Sequence, residues 1–178
     1  MNKHACFTSN VFRLAVLALA IAGAGSAIAA TTTASATSTI IAPINIAKAV
    51  DLAFGSFAAS AAPGTVTLTP GGTRTVDGGV AVIAASPSSA AKFDVTGQPG
   101  FAYSISVTGT PLTSGGNSMA FTPVSDLTGS AATSGNATAG LLTAGGTQSI
   151  FVGGVLSVGA SQAPGDYAGE ITALVNYN

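Results

Sequence analysis

The chain has 178 residues, 47% hydrophobic and only 6% charged, with a formal net charge of −1. Five Lys and Arg residues, scattered over that length, cannot build a phosphate-binding face, which excludes nucleic acid as a partner. The single His and single Cys are His4 and Cys6. Nothing downstream of them can supply a Ser-His-Asp triad, a Cys-His pair or a His-based metal site.

Residues 1–29 read as a signal peptide that is cleaved from the mature chain. Lys3 and Arg13 make a basic start, Leu14 to Ala22 (LAVLALAIA) form a short apolar run, and Ala27-Ile28-Ala29 is the small-x-small pattern of a cleavage site. That run is about half of the roughly 20 residues that span a bilayer, so no membrane span is expected in the mature chain. Cys6 precedes the apolar run, which argues against a lipoprotein. Cleavage after Ala29, or after Ala30 as the alternative, places the protein in the periplasm or at the cell surface. The first site leaves 149 residues with three cations (Lys48, Arg74, Lys92) and six acids (Asp51, Asp77, Asp94, Asp126, Asp166, Glu170), a net charge of −3. Such a length suits one domain. Having no mature cysteine, it must draw its stability from β packing, to which neighbouring subunits could add.

Residues 30–46 form a Thr/Ala/Ser tail that grows more apolar toward its end. Its even positions carry Ala34, Ala36, Ile40, Ala42, Ile44 and Ile46, an alternation that suits a strand, and Pro43 argues for an edge or a break. The β domain follows over 47–178. Leu52 and Phe54 face one way in a short strand, and Thr65–Leu68 forms another, closed by the turn Thr69-Pro70-Gly71-Gly72. Thr73–Val76 and Val80–Ile83 are separated by Asp77-Gly78-Gly79, which reads as a hairpin or a bulge. Ala91, Phe93 and Val95 alternate with Lys92, Asp94 and Thr96. The clearest run alternates Phe101, Tyr103, Ile105 and Val107 with Ala102, Ser104, Ser106 and Thr108. Met119 and Phe121 mark a strand before Pro123.

Residues 125–147 are Gly/Ser/Ala/Thr-rich, with Leu127, Leu141 and Leu142 as anchors. They read as the loosest loop of the fold, with a weak strand at Leu141–Leu142 as the alternative. At the end of the chain, Ile150, Val152, Leu156 and Val158 share one side of a strand. Tyr167, Ile171, Ala173, Val175 and Tyr177 share one side of the next. The turn Ala163-Pro164-Gly165-Asp166 between them predicts an antiparallel hairpin. Thr69–Val80 and Thr143–Val155 echo each other in a Gly-Gly-Thr turn, a short apolar strand and a Gly-Gly-Val.

With no helical period and about eight to ten short strands punctuated by Gly/Pro turns, the fold class is all-β, an Ig-like antiparallel β-sandwich. The expected core includes Phe54, Phe93, Phe101, Tyr103, Ile105, Val107, Ile171 and Val175.

Candidate chemistry is sparse. The six carboxylates are dispersed, and a pair such as Asp166 and Glu170 across a turn reads as solvated surface. No Asp-rich loop suggests calcium, and the Gly-Gly pairs lack the following Lys and helix of a phosphate loop. Asn136-Ala137-Thr138 matches a glycosylation sequon without further support. Phe101, Tyr103, Tyr167 and Tyr177 could form a sugar-stacking face, but their alternation favours a core role. No cofactor, metal or catalytic residue is expected, and the protein is read as a non-enzyme.

A set of short motifs occurs here in one order. They are Asp51-Leu52-Ala53-Phe54-Gly55, Gly64-Thr65-Val66, Gly78-Gly79, Phe93-Asp94-Val95-Thr96-Gly97 and Val152-Gly153-Gly154-Val155-Leu156, then Pro164-Gly165-Asp166-Tyr167-Ala168-Gly169 and Val175-Asn176-Tyr177-Asn178. In this the chain resembles, over essentially its whole mature length, the exported bacterial family catalogued as domain of unknown function 4402. That family is itself distantly similar to chaperone–usher fimbrial subunits and spore coat protein U, sharing a Pro-Gly-x-Tyr turn before a terminal alternating strand. The cysteine pair that many such pilins carry is absent.

The resemblance implies a structural subunit of a surface fibre, assembled by strand complementation. Self-association is expected, with a periplasmic chaperone and an outer-membrane usher as further partners. Ile40, Ile44 and Ile46 are the candidate donor-strand residues. Tyr167, Ile171, Val175 and Tyr177 are the candidate assembly edge of the terminal strand. The alternative is a stand-alone periplasmic or surface binding module for carbohydrate.

Overall fold

A computed structural model describes residues 28–178, so the predicted signal peptide lies outside the described residues as far as residue 27. Residues up to Thr39 form one unit and Ile40–Asn178 another. In the first, residues 28–39 carry no strand and are exposed throughout. The second contains β1 (Asn45–Val50), β2 (Phe57–Leu68), β3 (Arg74–Val82), β4 (Ala91–Thr96), β5 (Ala102–Gly109), β6 (Leu112–Ser114), β7 (Asn117–Met119), β8 (Phe121–Asp126), β9 (Ala139–Leu141), β10 (Thr147–Val158) and β11 (Ile171–Tyr177). No helix occurs among the described residues. The strands form the antiparallel β-sandwich that the alternation predicts.

β10 is the spine of the larger sheet. Its first half pairs with β4, and its second half pairs with β2, while β8 runs along its middle. Phe151 and Val152 have partners in both β4 and β8, and Gly154 to Leu156 have partners in both β2 and β8. A residue has two edges, so β8 holds one side of β10, and β4 and β2 share the other. β1 closes this sheet beyond β4, and β3 closes it beyond β2. The smaller sheet is β11-β5-β9, and β6 and β7 form a separate hairpin.

Close packing around β10 explains its glycines. A methyl group on Gly153 would strike the Leu68 carbonyl, and one on Gly154 would strike the Phe121 ring. Any side chain there would force backbone apart.

The core has two parts. Phe93, Val95, Tyr103, Ile105, Val107, Leu142, Ile150, Val152 and Val175 make one. Phe54, Val66, Leu68, Val80, Met119, Phe121, Leu156 and Val158 make the other. Seven of the expected core positions lie in or against these clusters, Ile171 being half-buried. Phe101 does not. It is 40% exposed, because β5 begins one residue later and Phe101 sits at the end of a turn, with its ring edge-on to Tyr177 at 5.9 Å.

The predicted terminal hairpin also fails. β10 and β11 do not pair; β11 joins β5 in the other sheet. Both strands do turn apolar faces inward, but they face each other across the core instead of lying side by side. Alternation identifies an inward face and not a neighbour. The connection carries a tyrosine corner of the kind found in Ig-like sandwiches. Tyr167 Oη donates to the Ala163 carbonyl at 2.8 Å and accepts from Gln162 Nε2 at 2.8 Å.

The internal echo holds at its turns. Gly72 donates to the Thr69 carbonyl and Gly146 to the Thr143 carbonyl, at 2.8 and 2.9 Å, and each turn is completed by a Thr amide bonded to the first Thr hydroxyl. Beyond the turns the copies differ. Gly78 takes a left-handed φ of 68° in a β2–β3 ladder whose register shifts, which makes this segment a bulge, whereas Gly153-Gly154 stays in regular strand.

The 125–147 stretch contains β9 and is extensively bonded. The Ser125 hydroxyl donates to Asn136 Oδ1 at 3.0 Å, and the Asp126 carboxylate accepts the amides of Thr128, Gly129 and Ser130 at 2.8–3.1 Å. Burial pushes the Asp126 carboxyl up, but the bonds from Ser130, Thr128 and Gly129 outweigh it and hold the pKa below the ordinary 3.8. A carboxylate depressed in the folded state stabilises it above the unfolded pKa and loses that contribution as pH falls. Asp126→Asn is therefore expected to be less stable than the parent at neutral pH. The gap in urea midpoint should narrow as pH falls through and below the ordinary carboxylate range; a pH-independent gap would contradict this role.

Candidate assembly edge

β11 lies at the border of its sheet, paired with β5 on one side only. The Thr110 amide donates to the Glu170 carbonyl at 2.9 Å, and the Asn178 amide to the Ala102 carbonyl at 3.3 Å. These two bonds set the phase of the ladder. Backbone groups of successive residues in an antiparallel strand point to opposite edges. Thr172, Leu174 and Asn176 therefore turn their N–H and C=O groups to β5. Ile171, Ala173, Val175 and Tyr177 turn theirs away, toward an edge with which no strand pairs among the described residues. The side chains of these four face the core, Val175 buried and the rest half-buried.

An open edge recruits other strands unless something blunts it. β3 is broken by its bulge and carries Arg74 and Asp77. β1 shifts register between Lys48 and Val50 and carries Lys48, ion-paired with Asp51 at 2.6 Å. β9 is only three residues long. β11 has none of these protections: its register is unbroken, and Ile171 to Asn178 contains no proline and no charged side chain.

A groove lies between the start of β1 and β11. It is closed at one end, where Tyr177 Oη donates to the Ala42 carbonyl at 2.9 Å and accepts the Gln98 amide at 2.6 Å. Toward the other end the walls separate. Lys48, Val50 and Leu52 face Gly169–Ile171 across an opening of about 330 Å³. This adjoins a cavity of about 950 Å³ whose apolar lining includes Leu52, Phe54, Met119, Phe121, Leu156 and Ile171. The Phe54 and Phe121 rings meet edge to face at 5.8 Å. Arg74 braces one wall by donating to the carbonyls of Phe54 at 2.7 Å and Ser86 at 3.2 Å. Tyr167 lines the cavity from the β10–β11 connection.

The sequence-predicted residues separate accordingly. Ile171, Val175 and Tyr177 lie on β11, while Tyr167 precedes it. Ile44 and Ile46 pack against the core of their own domain, Ile46 opposite Val95, whereas Ile40 is 97% exposed. The first strand thus occupies the expected donor segment from Asn45 onward and leaves only Ile40 outside. The four aromatics considered as a sugar-stacking face do not gather: Tyr103 is fully buried with its hydroxyl on Gln148, and Tyr167 is tied into its corner. Asp166 and Glu170 are both exposed and both border the cavity. The cavity itself had no sequence signal, because its lining comes from distant segments.

Among the described residues no three His, Cys, Asp or Glu side chains converge as a metal site, and no helix is long and apolar enough to cross a membrane. No curated protein and no solved structure matches the chain. The model of the domain of unknown function DUF4402 matches residues 44–177, the whole sandwich from Ile44 through β11, and the chain belongs to that family.

Proposed function

We propose that this protein is an exported structural subunit of a bacterial surface fibre, assembled by strand complementation along β11. The observation that carries this reading is an edge without bulge, charged side chain or proline, beside a groove that opens into an apolar-lined cavity. A segment suited to fill it is the exposed stretch Ala30–Ile41 of a neighbouring subunit, which is uncharged and rich in Thr and Ala. Twelve extended residues reach about 40 Å, more than the roughly 23 Å of a seven-residue edge. Main-chain bonds to Ile171, Ala173, Val175 and Tyr177 would hold it, with Ile40 as an apolar anchor. The likeness of the terminal strand to those of chaperone–usher fimbrial subunits belongs to this reading, and with it a periplasmic chaperone and an outer-membrane usher.

Deleting Thr31–Thr39 is expected to leave a folded subunit that no longer polymerises. Electron microscopy and sizing of intact and deleted proteins test this. Assemblies that are the same for both, or an intact protein that stays monomeric beside its chaperone and usher, would contradict it.

A stand-alone binding module is the second reading, favoured by a cavity whose volume is that of a ligand pocket. A rise in melting temperature with a soluble oligosaccharide, lost in Phe54→Ala, would support it.

A further inference from the structure

We infer that, when no donor strand is present, β11 pairs with the β11 of a second copy about a two-fold axis at Leu174. This rests on the open edge itself and stands apart from the fibre reading. The outward backbone groups belong to Ile171, Ala173, Val175 and Tyr177, spaced symmetrically about Leu174, the middle residue of the strand. Two such strands laid antiparallel place Ile171 opposite the second copy's Tyr177, and Ala173 opposite its Val175. Every outward N–H then meets an outward C=O, so the edge is complementary to itself.

Leu174 falls opposite its own copy at a position that is not hydrogen-bonded, where facing side chains come closest. It is 56% exposed on the outer face of the sheet. Thr172 meets Asn176 on either side of it. Ile171 to Asn178 contains no charged side chain, so no like-charged side chains face each other within the seven paired positions. The central bonds, at Ala173 and Val175, lie away from the seam between Tyr177 and Ala42. One seven-residue strand covers little area, so the dimer is weak and concentration-dependent. It occupies the edge that a donor strand would use, so the two are mutually exclusive.

The test uses the full chain with Cys6→Ser, purified as the unassembled subunit and mildly oxidised with oxidised glutathione. Only the residue on the axis faces itself. Leu174→Cys should therefore form a disulfide-linked dimer readily, while Thr172→Cys, displaced from the axis, should not. Sedimentation velocity should show the parent shifting from monomer to dimer as concentration rises, and Leu174→Lys remaining monomeric with an unchanged melting temperature. Equal cross-linking at both positions, no cross-linking at 174, or a dimer unaffected by Leu174→Lys would overturn the inference. Failure of the fibre reading shows elsewhere, as assembly unaffected by loss of Thr31–Thr39.

Discussion

Replacing Ile105 by Ala is expected to lower stability by about 2–5 kcal/mol. Ile105 is 6% exposed, sits opposite Val175 in the β5–β11 ladder, and donates its amide to the Thr138 carbonyl at 2.9 Å. β5 is the middle strand of the smaller sheet, so a cavity there loosens β9 and β11 together. Its effect should exceed that of Phe101→Ala, which removes a half-exposed ring and one edge-on contact with Tyr177, worth about 1 kcal/mol. Urea midpoints of the two variants measure the difference. Equal losses would place Ile105 outside the core and undo the register assigned to β5.

Ala173→Pro is expected to abolish assembly while leaving the subunit folded. The Ala173 amide points to the open edge, so proline removes no bond to β5, and its ring obstructs an incoming strand. One residue on, Leu174→Pro removes an amide that faces β5 and should unfold the small sheet. Circular dichroism separates the two, and electron microscopy reads assembly. Fibres from Ala173→Pro like those of the parent would show that the β11 edge is not where subunits join.

Much of this arrangement was legible in the chain. Strict alternation in Ala91–Thr96 and Tyr103–Thr108 gave inward faces that the sandwich keeps, because each strand has one face on the core and one outside. The same alternation misled at the chain's end. Ile150–Val158 and Ile171–Tyr177 show two apolar faces, but nothing local tells a hairpin partner from a strand facing it across the core. Phe101 was misplaced for a related reason: it keeps the phase of β5 but lies beyond its end, in a turn. For the assembly edge, the charge-free run from Ile171 to Asn178 was visible, but which backbone groups are free depends on the Glu170–Thr110 bond, a tertiary fact. The cavity was not legible at all, since its lining unites residues 51–59, 119–121 and 162–171.

Hydrogen exchange of the β11 amides tests the assembly edge most directly, residue by residue. In the dilute, monomeric subunit Thr172, Leu174 and Asn176 should be protected by β5, while Ile171, Ala173, Val175 and Tyr177 exchange quickly. In the assembled fibre the second group should become protected as well. Uniform protection of β11 in the monomer, or rapid exchange at Ala173 and Val175 that persists in the fibre, would contradict assembly along this edge.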